Sequence, residues 1–388
     1  MSPPLWLLTL ITFSGTLAMH IFVPALPEAA HDLGSSIGGM QMTMSVYILG
    51  LAFGQLVYGP MSDRFGRRPV LIGGLVLYSI AGLAAAFVPD VHSLIVARLL
   101  QALGGCAGMV IGRAILRDTA LPQEAARRLA VMNLMVAIGP GAAPLLGSAL
   151  ASSLGWRSIF FGLAALGILN LLFALRLLPE TRAAETKPAS GNLARNYGRP
   201  LVSPAFLGYA IGGGCATTSM YAFISASPFI FVHQLHRPDY EVGVYPAIVM
   251  IGLWLGTVAA TRLIPRLPID RLAVWANVLS VTASFVLLGV ALSGQLSVLA
   301  VIAPMFFFAM GAGVASPAAL TQAIGVNPQV IGSASGLYGF SQMGVGAICT
   351  ALVGTGSDPA LTVALVLVGA GVIGQAAFWM ALPRRKAA

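Results

Sequence analysis

The strongest constraint on this chain is a long stretch almost without charge. Between Arg271 and Arg384 the only charged residue is Asp358, so the 112 positions from 272 to 383 hold one formal charge. The exterior of a soluble fold is built largely from Lys, Arg, Glu and Asp, and a segment of this length without them has little to set against water. The rest of the chain agrees: of 388 residues, 57% are apolar and 9% charged, where a soluble domain carries about 25% charged residues. The sequence therefore describes an all-α polytopic membrane protein and excludes a soluble enzyme or a nucleic-acid-binding protein. Its net charge of +9 would point to polyanionic partners in a soluble protein; here it reports which side of the bilayer each loop occupies.

A helix needs about 20 apolar residues to cross the hydrocarbon core. Reading between polar and Pro/Gly breaks predicts twelve spans, six of them at 5–27, 38–60, 69–89, 93–115, 128–152 and 156–178. The other six are expected at 204–230, 241–262, 272–293, 297–322, 332–354 and 360–381. The last four are separated by turn signals at Ser293-Gly294-Gln295, Asn327-Pro328 and Ser357-Asp358-Pro359. The longest polar segment, Pro179 to Pro200, lies midway. It predicts an N-terminal six-helix bundle over 1–178, a cytoplasmic linker over 179–203 and a C-terminal six-helix bundle over 204–388.

If both termini are cytoplasmic, the inner segments carry Arg64, Arg67, Arg68, Arg117, Arg127, Arg128, Arg182, Lys187, Arg195, Arg199, Arg262, Arg266, Arg271, Arg384, Arg385 and Lys386, leaving only Arg157 and Arg237 outside. The cytoplasmic bias of basic residues predicts that orientation. The first apolar run reaches Phe22 without a preceding basic region, so it is expected to be a span rather than a cleaved leader. Cys106, Cys215 and Cys349 sit far apart in apolar stretches and fit no disulfide or metal spacing; no metal or cofactor is expected. Neither lysine, Lys187 or Lys386, follows a G-x-x-x-x-G loop, so this chain carries no phosphate-cradling ATPase motif. Uphill work must then come from an ion gradient or another subunit. Two six-span halves without a nucleotide site predict a secondary transporter, whose bundles rock about a site near the midplane.

The most specific motif follows the second span: GPMSDRFGRRP from Gly59 to Pro69. Gly59 permits close helix approach, and Gly66 provides a reversal that few other residues tolerate. Asp63 is placed to pair with an arginine across the cytoplasmic face, with Arg64, Arg67 and Arg68 beside it and Arg67 and Arg68 at the lipid headgroups. This segment resembles the signature loop of the major facilitator superfamily. The resemblance narrows through YILGLAFGQ (Tyr47–Gln55), VPALP (Val23–Pro27), RLLQALG (Arg98–Gly104) and RAILRD (Arg113–Asp118). LPET (Leu178–Thr181), SPF (Ser227–Phe229) and GSASG (Gly332–Gly336) add to it. Together these are similar to the Bcr/CflA branch of drug–proton antiporters and cover nearly the whole chain. The resemblance implies the major facilitator fold, a central cavity between the halves, and efflux of small molecules against inward proton flow. The equivalent loop of the second half, GTVAATR over 256–262, has Ala260 where the acid falls, which predicts a weaker gate there.

An ionisable residue inside a span is functional by default. His20 lies in the outer half of the first span, where related members carry an aspartate; with a reference pKa of about 6.5 it can change charge between cytoplasm and an acidic exterior. The competing reading is a packing histidine bonded to a neighbouring carbonyl. Arg98 matches the family's buried arginine, linked there to proton coupling. Arg113 is expected either at the cytoplasmic mouth of the cavity or snorkelling to headgroups. These three are the proton-coupling or substrate-binding candidates, while Asp63 and Asp118 are expected to latch the inner gate. No acidic residue falls near the midplane of a predicted span, so the cavity is expected to disfavour bulky lipophilic cations.

Gly139, Pro140, Pro144 and Gly147 in the fifth span resemble the family's antiporter motif, and each proline removes a helix hydrogen bond where rocking can concentrate. Gly104, Gly108 and Gly112 recur every four residues along the fourth span, which predicts a small-residue packing face. Tyr47, Tyr221, Phe223 and Tyr338 are candidate cavity aromatics. The expected partners are a small-molecule substrate, protons and the lipid bilayer, with a monomer as the working unit in a bacterial-type inner membrane. A proton-coupled or facilitated importer of a nutrient or siderophore-like solute is the alternative, because fold alone does not set direction. A membrane enzyme has no Ser-His-Asp set or metal cluster to support it.

Overall fold

The computed structural model describes residues 3–120, 122–181, 198, 200–326 and 331–382. Every regular element among them is helical. The first half comprises α1 (Leu5–His20), a 3₁₀ turn (Val23–Ala25), α2 (Leu26–Asp32), α3 (Ile37–Phe65), α4 (Arg67–Ala86), α5 (Val91–Asp118), α6 (Pro122–Leu154) and α7 (Arg157–Leu177). The second comprises α8 (Pro204–Thr217), α9 (Met220–Phe229), a π turn (Ile230–Gln234), a 3₁₀ turn (Asp239–Glu241), α10 (Val244–Leu263), α11 (Ile269–Ser293), α12 (Val298–Gly325), α13 (Ile331–Val353) and α14 (Pro359–Ala381). Eleven stretches are long and apolar enough to cross a membrane, counting Leu5–Asp32 and Pro204–Gln234 as one each. The 33-residue α6 stands at the fifth predicted span. The twelve-helix architecture read from the sequence is therefore the one observed.

Two spans depart from expectation. The first is interrupted after His20, because Pro24 and Pro27 cannot donate to the ladder, and it resumes as α2 and runs to Asp32, past the predicted end at 27. The seventh breaks at Thr218–Ser219 and leaves Pro228 through the π turn, extending to Gln234 instead of 230.

The chain divides into two compact units, Met1–Ser190 with His236–Ala247, and Gly191–Leu235 with Ile248–Ala388. In the first, α5 is central, packed against α1, α3 and α4. Small residues bring these helices together, as predicted, but not along a single face. A Cβ at Gly108 would meet Ile11 O at 2.6 Å and one at Gly112 would meet Thr12 Oγ1 at 2.6 Å, both on α1, whereas Gly104 abuts Tyr78 N of α4 at 2.4 Å. The reason is periodicity: steps of four drift about 40° round a helix with 3.6 residues per turn. In the second unit α8 packs on α12, α13 and α14. The large apolar residues left exposed, such as Ile80, Phe161, Phe285 and Ile373, are those a bilayer covers.

Of the residues behind the linker and orientation readings, Arg182, Glu185, Lys187, Arg195, Arg199, Arg384, Arg385 and Lys386 lie outside the described residues. Every described acid lies at a helix end or in a connection. Asp90 and Asp358 are N-caps of α5 and α14, accepting from Ser93 N at 2.9 Å and Leu361 N at 3.0 Å.

Candidate functional site

Among the described residues of the first unit one arginine is buried, and it lies among rings. Arg98, two turns into α5, is fully buried. Its guanidinium carbon lies 3.9 Å from the Tyr47 ring centroid, 5.7 Å from Phe22 and 5.8 Å from Phe160. Nη1 donates to Gln101 Oε1 at 2.7 Å and Nη2 lies 3.9 Å from the Met44 sulfur, while Nε has no partner among the described residues. No Asp or Glu is found among the described buried side chains. Ring faces carry the negative side of the aromatic quadrupole, so they, with one amide, hold this cation in place of a carboxylate. Tyr47 is itself pinned, its hydroxyl donating to Gly15 O at 2.8 Å. It is thus taken up inside the unit as a cover for Arg98, rather than free to line a cavity.

His20 ends α1 and is buried, with Nδ1–H donating to Thr16 O at 2.9 Å. The carbonyl only accepts, so Nδ1 carries the hydrogen and Nε2 is where the neutral ring takes up a proton. The carbonyl-bonded geometry of the competing reading is therefore present, and it leaves proton exchange chemically open. Phe22, two residues on, belongs to the ring set over Arg98, which brings His20 and Arg98 to the same end of the unit. Arg113 is not part of this group. It lies about 22 Å further along α5 by helical rise and is exposed, toward the end of the helix where both expected placements put it.

The signature segment is mostly helix instead of loop. Gly59, Pro60, Asp63 and Arg64 occupy the last turns of α3, and only Gly66, at φ +97°, breaks the chain before α4. Arg67 links three elements. It pairs with Asp63 at 2.6 Å and with Asp118, the last residue of α5, at 2.9 Å, and Nη1 donates to Ser62 Oγ at 2.6 Å. Its side chain is 14% exposed, so it serves a protein latch and not the headgroup layer. Arg68 turns back to Leu175 O of α7 at 2.8 Å. The close approach expected of Gly59 is absent, since no described atom lies within 4 Å of a Cβ there. It is made earlier in α3, where Gly50 meets Ala102 and Gly54 meets Cys106.

One member of this site escaped the sequence reading. Glu180 accepts from the Arg67 and Arg68 backbone N–H groups at 3.0 and 3.1 Å, placing a carboxylate on the positive end of the α4 dipole. The Leu178–Thr181 match was the available signal, but nothing in it names the receiving helix. At the counterpart in the second unit no such ion pairs occur among the described residues: Ala260 is buried, and Gly256 packs against Met310 O.

In the second unit Phe223 and Tyr338 are buried and Tyr221 is half-buried. The break between α8 and α9 is joined to α13 by hydrogen bonds: Gln342 Nε2 donates to Thr217 Oγ1 at 2.8 Å, and Thr218 Oγ1 donates to Gln342 O at 2.5 Å. The expected hinge residues behave differently from one another. α6 continues unbroken through Pro140 and Pro144. Gly139 packs on the Phe13 ring, and a Cβ at Gly147 would fall on Ile21 O, so both glycines seat α6 against the first span.

Comparison with known proteins agrees with this geometry. The Major Facilitator Superfamily model matches residues 8–351. An MFS-type transporter of Bacillus subtilis, YdgK, is 29% identical, covering 96% of this chain and 94% of that protein. The bicyclomycin resistance protein homolog of Haemophilus influenzae is 25% identical over 92% and 89%, and the multidrug resistance protein MdtL of Escherichia coli is 29% identical over 84% and 81%. These last two are relatives of the kind the Bcr/CflA resemblance implied. Among solved structures, a D-xylose–proton symporter superposes with a TM-score of 0.79 at 15% identity, covering 98% of both chains. A bacterial homolog of the human lysosomal transporter Spinster gives 0.74 at 17% identity, covering 97% of this chain and 96% of that one. Its helices, its signature segment and these matches make the chain a member of the Major Facilitator Superfamily: a multi-pass membrane transporter, not an enzyme.

Proposed function

We propose that this transporter exports small neutral, zwitterionic or anionic drug-like or metabolic compounds in exchange for protons by alternating access. The observation that carries the reading is the character of the buried acid and base side chains: among the described residues the bases His20 and Arg98 are buried and no carboxylate is. A lipophilic cation entering such surroundings would meet like charge without a compensating acid, at a high desolvation cost. The names of the relatives, bicyclomycin and multidrug resistance, support export of antibiotic-like molecules. In this scheme His20 Nε2 takes a proton from the exterior, Arg98 biases that protonation and meets an acceptor group of the solute, and Arg113 attracts solute from the cytoplasm. Asp63, Arg67 and Asp118 hold the cytoplasmic ends of α3, α4 and α5 in one state and part in another. The chain works as a monomer in the inner membrane with both termini cytoplasmic.

The test is substrate-induced proton release from purified protein, followed by flux in inverted vesicles. Phenicol- and phosphonate-like compounds are expected to release protons and move, while ethidium-like cations are not. Robust ethidium export would defeat the selectivity reading, and uptake coupled to inward proton flow would replace export with import.

A further inference from the structure

A groove away from the residues discussed above lies where the end of α10 and the start of α11 meet α12. It encloses about 490 Å³, within the roughly 300–1,000 Å³ of small-molecule sites. Its walls are apolar: Leu272 and Leu279 of α11 face Val314 of α12, and Gly311 forms the floor by packing against Ala276 O. At its mouth stand Arg271 and Trp275, the latter 70% exposed. Arg262 stands in the last turn of α10 and Arg266 in the connection to α11, and none of the three arginines enters an ion pair among the described residues. Asp270 is the one acid nearby in sequence, and as the i−1 neighbour of Arg271 it points to a different face of α11.

We propose that this groove is a binding site for an anionic phospholipid, with one acyl chain along the leucine and valine walls and the phosphate on Arg271. An unpaired arginine at a helix end, next to an exposed tryptophan, marks headgroup depth. Basic pockets between membrane helices favour anionic headgroups. A comparison within the molecule sharpens the assignment. A groove of about 600 Å³ between α4 and α5, lined by residues such as Leu77, Ile80 and Val96, has no arginine or lysine in its lining, and Arg157, which reaches the carbonyl of the lining residue Val88, is paired with Asp32. It offers a chain the same apolar walls but offers a phosphate no unpaired arginine.

The experiment is native mass spectrometry of the full-length protein released from nanodiscs containing phosphatidylglycerol and phosphatidylethanolamine. The parent is expected to retain one phosphatidylglycerol in preference. Arg271→Gln should lower that preference about fivefold, the share of one basic residue at an anionic surface, and Arg271→Lys should restore most of it. Leu279→Trp, which fills the groove, should reduce retention while leaving thermal stability near that of the parent. Arg271 is exposed, so its variants test binding without endangering the fold. Equal retention of both lipids, or an Arg271→Gln protein indistinguishable from the parent, overturns the proposal. So does glycerol phosphate competing as well as the whole lipid, which would leave the apolar walls without a role. Displacement of the lipid by a transported drug would assign the groove to substrate and overturn it as well.

Discussion

A buried arginine without a carboxylate beside it makes a sharp prediction, because its contributions to stability and to function separate. Replacing buried charge by an apolar side chain of similar volume is often neutral or stabilising. Arg98→Met is therefore expected to keep or raise the unfolding temperature in detergent while abolishing substrate-induced proton release. A protein that loses stability and keeps transport would show Arg98 to be structural cement. His20 yields a second test: His20→Ala should lose proton release and His20→Asp should retain it, with activity shifted toward the pH range of a carboxylate. If both variants match the parent, the proton passes elsewhere. Gly66 belongs to this scale as well. Its φ of +97° and a Cβ that would sit 2.6 Å from Glu180 Oε2 make Gly66→Ala cost about 1–3 kcal/mol, read as a lower melting temperature. The need for Gly66 was legible in the motif; Glu180 as the carboxylate beside it was not.

Among the helices, the informative features are those that stop short. The first span of each half is interrupted, at Ile21–Ala25 and at Thr218–Ser219, and paired interruptions in corresponding spans are the best pointer to where a transporter handles its solute. Pro24 and Pro27 announced the first break, yet the apolar run around them read as continuous. Thr217, Thr218 and Ser219 announced the second, three polar residues in an apolar span. The expected hinge in α6 is the converse case. Its prolines were conspicuous, while the close packing of Gly147 on Ile21 O was invisible, because spacing does not say which neighbour a small residue admits. Gly147→Leu is accordingly expected to abolish folded protein in membranes, whereas Pro140→Ala should leave expression intact and alter transport alone. Arg67 joins α3, α4 and α5, so Arg67→Ala should loosen the latch and raise cysteine reactivity at an introduced Ser62→Cys. Unchanged reactivity would mean that the ion pairs do not hold those ends together.

Over the whole molecule, charge is arranged by depth. Acids cap helix ends, and Asp358, the lone charge in the long neutral stretch, does so at α14 while also accepting from Gln234 at 2.8 Å. That pattern predicts a substrate range with little place for lipophilic cations and a flux driven by an inward proton gradient. Collapse of the gradient by an uncoupler should stop accumulation in inverted vesicles, and continued accumulation would remove the antiport reading. The all-helical, many-span architecture was legible in the amino-acid sequence alone, because hydrocarbon selects helices by length and composition, which local sequence carries. Which polar groups meet was decided only by tertiary structure. The ring set around Arg98 and the capping of α4 by Glu180, 113 positions from Arg67, join distant parts of the chain. Helical period assigns a residue to a face, but the packing of other helices determines what that face meets.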